Sequence, residues 1–370
     1  MDYAENARLY PGEALEIVEG FPTIKHYQPA TTNSIDSKPL IVCIPGAAHL
    51  ARIFYGGHHE SLSDDFIAYW LSQLGYGVLS VSYPLEMNSS LMPSTGHSFR
   101  IRDWGRQAAV CAQKTIVENF LPSRSIILLS WSMGGRMVVQ FNIACKELGL
   151  HVEQYISLAA TPGISNIRPP QSDMECTPSG YVSISSRIGA FCKQLNTVDL
   201  ANGGREIIPQ GIYLKEYVGG TPINLIGARL KFDGKSAFIP DELAHEDDSR
   251  VFDIVNTPFI SALYPTSVQD AGHALTDKST WGFLMTYKLE SMVPKQALRD
   301  LEGTQAWEKI SKLIHEAPSR MSHAVPGNHF FFVGKQGAEE TAQKVVSLLH
   351  ERIALESELA SLLDSGKAVR

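Results

Sequence analysis

Apolar residues recur along this chain in two alternating rhythms. Short, nearly uninterrupted apolar runs at 40–44, 77–83, 125–129 and 152–160 have the pattern of strands buried on both faces of a parallel sheet. Between them, residues 60–74 place Phe66, Ile67, Trp70, Leu71 and Leu74 at helical spacing before Gly75, and residues 102–120 and the stretch from Gly135 read as helices as well. Buried strands separated by helices imply right-handed crossovers and a mostly parallel sheet. Near the start, residues 15–19 and 23–27 predict an edge hairpin turning through Gly20, Phe21 and Pro22.

The rhythm breaks after Gly163. Residues 164–280 are rich in Pro and Gly and carry an acidic run at 242–248. Residues 184–200 look helical there, and 223–232 and 259–264 are short apolar pieces of either type. Regularity resumes with a predicted strand at 281–289, helices at 295–301 and 304–315, a last strand at 319–325 and a long helix over 337–363. The expectation is an α/β domain made of residues 1–163 and 281–370, interrupted by an insertion at 164–280. The second half of the long helix, or the insertion, is the expected place for a homodimer contact.

Composition narrows the function without choosing it. At 370 residues, with 44% hydrophobic and 19% charged side chains, the chain is an ordinary globular one with a large core. No apolar run approaches the ~18 residues of a membrane span, and the first residues lack a basic start and an apolar core, so a cytoplasmic location is expected. The net charge of −7 comes from interspersed residues with no Lys/Arg cluster to track a phosphate backbone, which argues against nucleic acid as a partner. Cys43, Cys111, Cys145, Cys176 and Cys192 are odd in number and widely spaced, and read as reduced packing residues.

The chemistry concentrates at one place. After the strand at 125–129 come Ser130, Trp131, Ser132, Met133, Gly134 and Gly135, so small residues stand two before and two after Ser132 where a strand meets a helix. A serine hydroxyl becomes a nucleophile when a base takes its proton, and a tight strand-to-helix turn lifts it within reach of one. This stretch resembles the nucleophile elbow of the alpha/beta-hydrolase superfamily, with Ser130 at the first position of the usual G-x-S-x-G. The resemblance implies an alpha/beta-hydrolase fold with a large inserted lid at 164–280. It also implies an oxyanion hole made by the N–H groups of Met133 and of Ala47, in the Pro45-Gly46-Ala47-Ala48-His49 loop after the strand at 40–44.

The same resemblance places the base just after the final strand, where His329 follows Pro326, Gly327 and Asn328; His273 is the second choice. The acid must orient that imidazole from a neighbouring strand end. Glu290, after the strand predicted at 281–289 and shortly before Pro294, is the first choice, and Asp270, after the apolar piece at 259–264, is the rival. His58 and His59 are adjacent and lack metal-ligand spacing, and neither a metal nor an organic cofactor is expected. The implied activity is hydrolysis of an ester, thioester or lactone of a medium-sized, partly apolar acyl substrate through an acyl-enzyme. Acyl transfer, carbon–carbon bond hydrolysis and ligand binding without turnover remain open on the same residues.

Overall fold

The segments 40–44 and 125–131 lie side by side at the centre of an eight-stranded sheet. The computed structural model describes residues 8–31, 38–87, 91–95, 98–167, 174–241 and 248–367; the polar loop at 32–37 and all but the last residue of the acidic run lie outside the described residues. The sheet strands are β1 (Glu13–Val18), β2 (Phe21–Gln28), β3 (Leu40–Ile44), β4 (Val78–Val81), β5 (Ser125–Trp131), β6 (His151–Leu158), β7 (Ile260–Pro265) and β8 (Ser322–Val325). Their order is β1-β2-β4-β3-β5-β6-β7-β8, with parallel pairing from β4 to β8 and antiparallel pairing only at the hairpin end. The hairpin turns through Glu19 and Gly20, both left-handed at φ 52° and 83°, the turn geometry that matches strand twist. β3 is buried along its whole length, as its unbroken apolar sequence requires.

Helices flank this sheet. Helix α1 (Ile67–Gln73), α2 (Ile101–Glu118) and α3 (Val138–Glu147) connect the early strands, and α2 packs on α3. Helix α4 (Ser185–Ala201) belongs to the long excursion between β6 and β7. Helices α5 (Ala271–Met292), α6 (Lys295–Leu301), α7 (Gln305–Arg320) and α8 (Lys335–Lys367) complete the chain. In the apolar stripe of α8, Val345, Leu348, Leu349, Leu355 and Leu359 are buried, where the helix packs on α1, α6 and α7, while Ile353 is exposed. Strand order and the β5-turn-α3 connection are those of the alpha/beta-hydrolase fold.

Two expectations are corrected. Residues 281–289 are not a strand but the second half of α5. Trp281, Leu284, Met285 and Leu289 form its buried stripe, while Phe283 and Tyr287, one turn apart, meet edge to face on the exposed side; two outward aromatics make a helical period look like an apolar strand. In turn, residues 260–265 form β7 between β6 and β8, so the sheet resumes well before residue 280. The excursion that leaves the sheet therefore runs from the end of β6 to β7, and it contains α4, a helical turn at 210–217 and two short ladders, 181–182 with 221–222 and 230–232 with 238–240.

Among the described residues no helix is long and apolar enough to cross a membrane. All five cysteines are free thiols; Cys43, Cys111 and Cys145 are buried in the core.

Candidate active site

The turn after β5 is built from packing constraints. Ser132 has φ 54°, a left-handed conformation rare for a side chain with a Cβ, and its carbonyl accepts from the Thr161 N–H at 2.8 Å. Such strain persists where the surroundings fix it. A Cβ on Gly134 would lie 3.0 Å from the Pro45 carbonyl and 3.1 Å from the Ser130 Cβ, so a side chain there would need the surrounding backbone to give way. Ser130, in contrast, is accommodated because its hydroxyl donates to the Tyr155 hydroxyl at 3.0 Å. Gly46 presses on the turn from the other side: a Cβ there would stand 2.6 Å from the Ser132 Cβ.

His329 follows β8 and faces the same turn. Its Nδ1 is 2.7 Å from Asp270 Oδ2, while its carbonyl accepts from Trp131 Nε1 at 2.9 Å, which ties the histidine loop to the residue before Ser132. The loop carrying Asp270 is braced against the histidine loop. The Gly327 carbonyl accepts from Ser267 N–H at 2.9 Å, and Asn328 Nδ2 donates to both the Gln194 carbonyl and Gln269 Oε1 at 2.9 Å. Asp270 thus stands at the exit of β7, next to β8, as the geometry of an orienting carboxylate requires. Glu290 is elsewhere, exposed at the far end of α5, and the structure does not bring it to His329. The strand at 281–289 on which the choice of Glu290 rests is helical, and Asp270, the rival, is the carboxylate that lies against His329.

The second-choice histidine is close by. His273, in the first turn of α5, lies with its ring centroid 5.0 Å from that of His329, and its Nδ1 is 2.9 Å from both carboxylate oxygens of buried Asp277. Their i, i+4 spacing is in the sequence, but only the helical backbone makes it a contact.

The loop expected to donate the second oxyanion N–H is pinned by the excursion. His49 Nδ1 is 2.8 Å from the Ala47 carbonyl and its Nε2 is 2.8 Å from the Tyr213 hydroxyl. The Ala48 N–H donates to Thr221 Oγ1 at 2.8 Å. The peptide unit joining Ala47 to Ala48 is therefore held at both its carbonyl and its N–H, and the Ala47 N–H makes no hydrogen bond among the described residues. Met133 occupies the second position of the turn that opens α3, where N–H groups have no partner inside a helix. Nothing in the sequence marks Tyr213 or Thr221 for this role, because each lies more than 160 residues from its partner, His49 or Ala48. Thr221→Val removes the acceptor and keeps the shape. It is expected to lower kcat on an activated ester by about 10-fold, less than the ~10²–10³ of losing an oxyanion donor outright, with KM changed little.

Burial also sets the charge of this clamp. Desolvation is the main reason that the His49 imidazole is held down to about 3 from 6.5; the Ala47 carbonyl acts the other way, and nearby His329 adds to the lowering. In the folded protein His49 is neutral down to about pH 3, whereas in the unfolded chain it takes up its proton near 6.5. The unfolded state binds more protons between those values. The stability that comes with a neutral His49 is complete above pH 6.5 and declines as pH falls, by about 1.4 kcal/mol per pH unit. Chemical unfolding at pH 7, 6 and 5 should show this slope, and His49→Asn should be shallower by about one proton. Equal slopes in the two proteins would contradict it.

Ser132, His329 and Asp270 line one cavity of about 350 Å³, together with Ala47, Met133 and His273. Its outer wall comes from α4 and from residues 226–228 of the excursion. Asp270, His273 and His329 also form a group able to hold a metal ion, with ligand atoms within 4.8 Å of one another. The 2.7 Å contact between His329 Nδ1 and Asp270 already commits one ligand atom of each to the other.

No protein-family model matches the chain, and no curated protein sequence does. Solved structures do. A bacterial membrane phospholipase A is similar over 92% of this chain and 86% of its own, with 14% identity and a TM-score of 0.47. A soluble variant of monoglyceride lipase from Saccharomyces cerevisiae is similar over 95% and 96%, with 9% identity and a TM-score of 0.47. An esterase from Pyrobaculum calidifontis is similar over 93% and 85%, with 13% identity and a TM-score of 0.44.

Proposed function

We propose that this protein is a serine hydrolase that cleaves a carboxylic ester, thioester or lactone through an acyl-enzyme. The observation that carries this reading is the His329 Nδ1 to Asp270 contact of 2.7 Å on the wall of the cavity that holds Ser132 in its left-handed turn. In the proposed reaction, the Ser132 Oγ attacks the acyl carbon as His329 Nε2 takes its proton. Asp270 holds the imidazole with Nδ1 protonated and stabilises the imidazolium. The N–H groups of Met133 and Ala47 receive the developing oxyanion. His329 then returns the proton to the leaving oxygen or sulfur, and a water molecule, deprotonated by His329 in its turn, releases the acid and restores Ser132.

The β6–β7 excursion is proposed as the lid over this site. Ser186, Arg187, Phe191, Gln194, Ile226 and Ala228 supply its contribution to the cavity wall, and the cavity volume suits a medium-sized substrate. A fluorophosphonate probe tests the reading: one equivalent should attach, and peptide mapping should place it on Ser132. Attachment elsewhere, or none, would overturn it.

A further inference from the structure

We propose that Tyr83 is a positioning residue of the oxyanion hole: its hydroxyl aims and polarises the peptide whose N–H, that of Ala47, receives the oxyanion. This deepens the hydrolase reading and rests on it. The carbonyl of Gly46 and the N–H of Ala47 belong to one planar peptide unit and point in opposite directions. The Tyr83 hydroxyl donates to that carbonyl at 2.9 Å. A hydrogen bond at the oxygen therefore fixes the direction of the N–H at the other end. It also draws electron density toward the oxygen, which makes the N–H a stronger donor. The unit lies against the nucleophile, since a Cβ on Gly46 would stand 2.6 Å from the Ser132 Cβ, and Ala47 lines the cavity.

The sheet brings Tyr83 there. β3 and β4 are parallel neighbours with Cys43 opposite Ser80, and three residues further along each chain Gly46 comes level with Tyr83. Pro84 follows, which favours an extended backbone at Tyr83. The ring is fully buried, with that of Trp104 at a centroid distance of 4.8 Å, and burial raises the phenol far above its ordinary range, so the hydroxyl keeps the proton it donates. The stretch around it is tied down as well. The Ser82 N–H donates to the Ile24 carbonyl at 2.9 Å, Ser82 Oγ accepts from the Ala51 N–H at 2.8 Å, and Glu86 and Gly220 each donate an N–H to the carbonyl of the other. The peptide before Ala47 is thus set from the end of β4 and the peptide after it from His49 and the excursion, so the donor is held from both sides. Phenylalanine at this place would fill the same space and take this donor away from the buried Gly46 carbonyl.

The test is Tyr83→Phe, with the melting temperature as folding check. On an activated ester kcat should fall by about 10-fold with KM changed little, as for a group that acts through an oxyanion donor and is not one itself. The readout that separates positioning from packing is inhibition by 1,1,1-trifluoro-2-octanone: the Ser132 oxygen adds to its carbonyl carbon, the serine proton passes to His329, and the carbonyl oxygen becomes the oxyanion. Its inhibition constant should rise by about the factor by which kcat falls, because both report the same oxyanion. Tyr83→4-aminophenylalanine, which returns an N–H donor to this place, should restore most of both. A packing role alone lowers the melting temperature and leaves kcat and the inhibition constant in place; that result, a loss confined to KM, or a loss that the amine leaves unrestored would overturn the proposal. If Tyr83→Phe does not fold, Tyr83→4-aminophenylalanine decides alone. Its weaker donor should loosen the ketone by about 3-fold at constant KM, and an unaltered inhibition constant rejects the role. If no ester turns over, the rate of fluorophosphonate attachment to Ser132 decides. Slower attachment in Tyr83→Phe supports the role, equal rates reject it while the nucleophile stands, and no attachment in the unaltered protein rejects the hydrolase reading and this role with it.

Discussion

Ser132→Ala is expected to reduce turnover of an activated ester by at least ~10³-fold and to abolish fluorophosphonate attachment, with the fold intact. The magnitude follows from what remains after the substitution. The oxyanion N–H groups and the cavity still bind the substrate, and such residual help is worth only ~10³–10⁴ over water. The backbone supplies an internal control. Ser132 sits at φ 54°, which strains alanine as it strains serine, whereas glycine adopts it freely. Ser132→Gly should therefore melt above Ser132→Ala while being equally inactive. Such a pair separates lost chemistry from lost structure, and retained turnover in either protein would remove Ser132 from the mechanism.

The second large effect distinguishes two acids. Asp270→Asn should lower kcat by ~10³–10⁴, because an amide facing Nδ1 favours the wrong tautomer and leaves the imidazolium without its counter-charge. Glu290→Gln should stay within about twofold, since Glu290 is exposed at the end of α5 and surface substitutions away from special features cost little. Steady-state kinetics on both variants, with melting temperatures as the folding check, decides. A severe loss in Glu290→Gln beside a mild one in Asp270→Asn would return the role to Glu290.

Much of the architecture was legible in one dimension. Residues 40–44 and 126–129 are apolar without break, which suits strands covered on both faces, and Ser132 stands between the second of these runs and a helical pattern. Small residues at 130 and 134, Gly46 before Ala47, and His329 beyond the last apolar run are local requirements, and local requirements leave marks in local sequence. The helix at 184–200 and the edge hairpin were likewise readable from their own periodicity and turn residues.

What sequence alone left undecided depended on contacts between distant segments. The acid is the clearest case. Asp270 and Glu290 are both carboxylates, and the choice of Glu290 over Asp270 turned on whether 260–265 or 281–289 pairs with β6 and β8; the first has its apolar run capped by Pro265, while the second buries every third or fourth side chain and exposes Phe283 and Tyr287. The clamp on Ala47 and Ala48 was invisible for the same reason, since Tyr213 and Thr221 are ordinary residues of an irregular stretch until the fold brings them to His49 and Ala48. Periodicity reports the field that one segment feels on its two faces, so it fixes strands, helices and the tight turn at Ser132. Which loop meets which is set by the packing of the whole sheet, and only that packing put Asp270 beside His329 and left Glu290 in solvent.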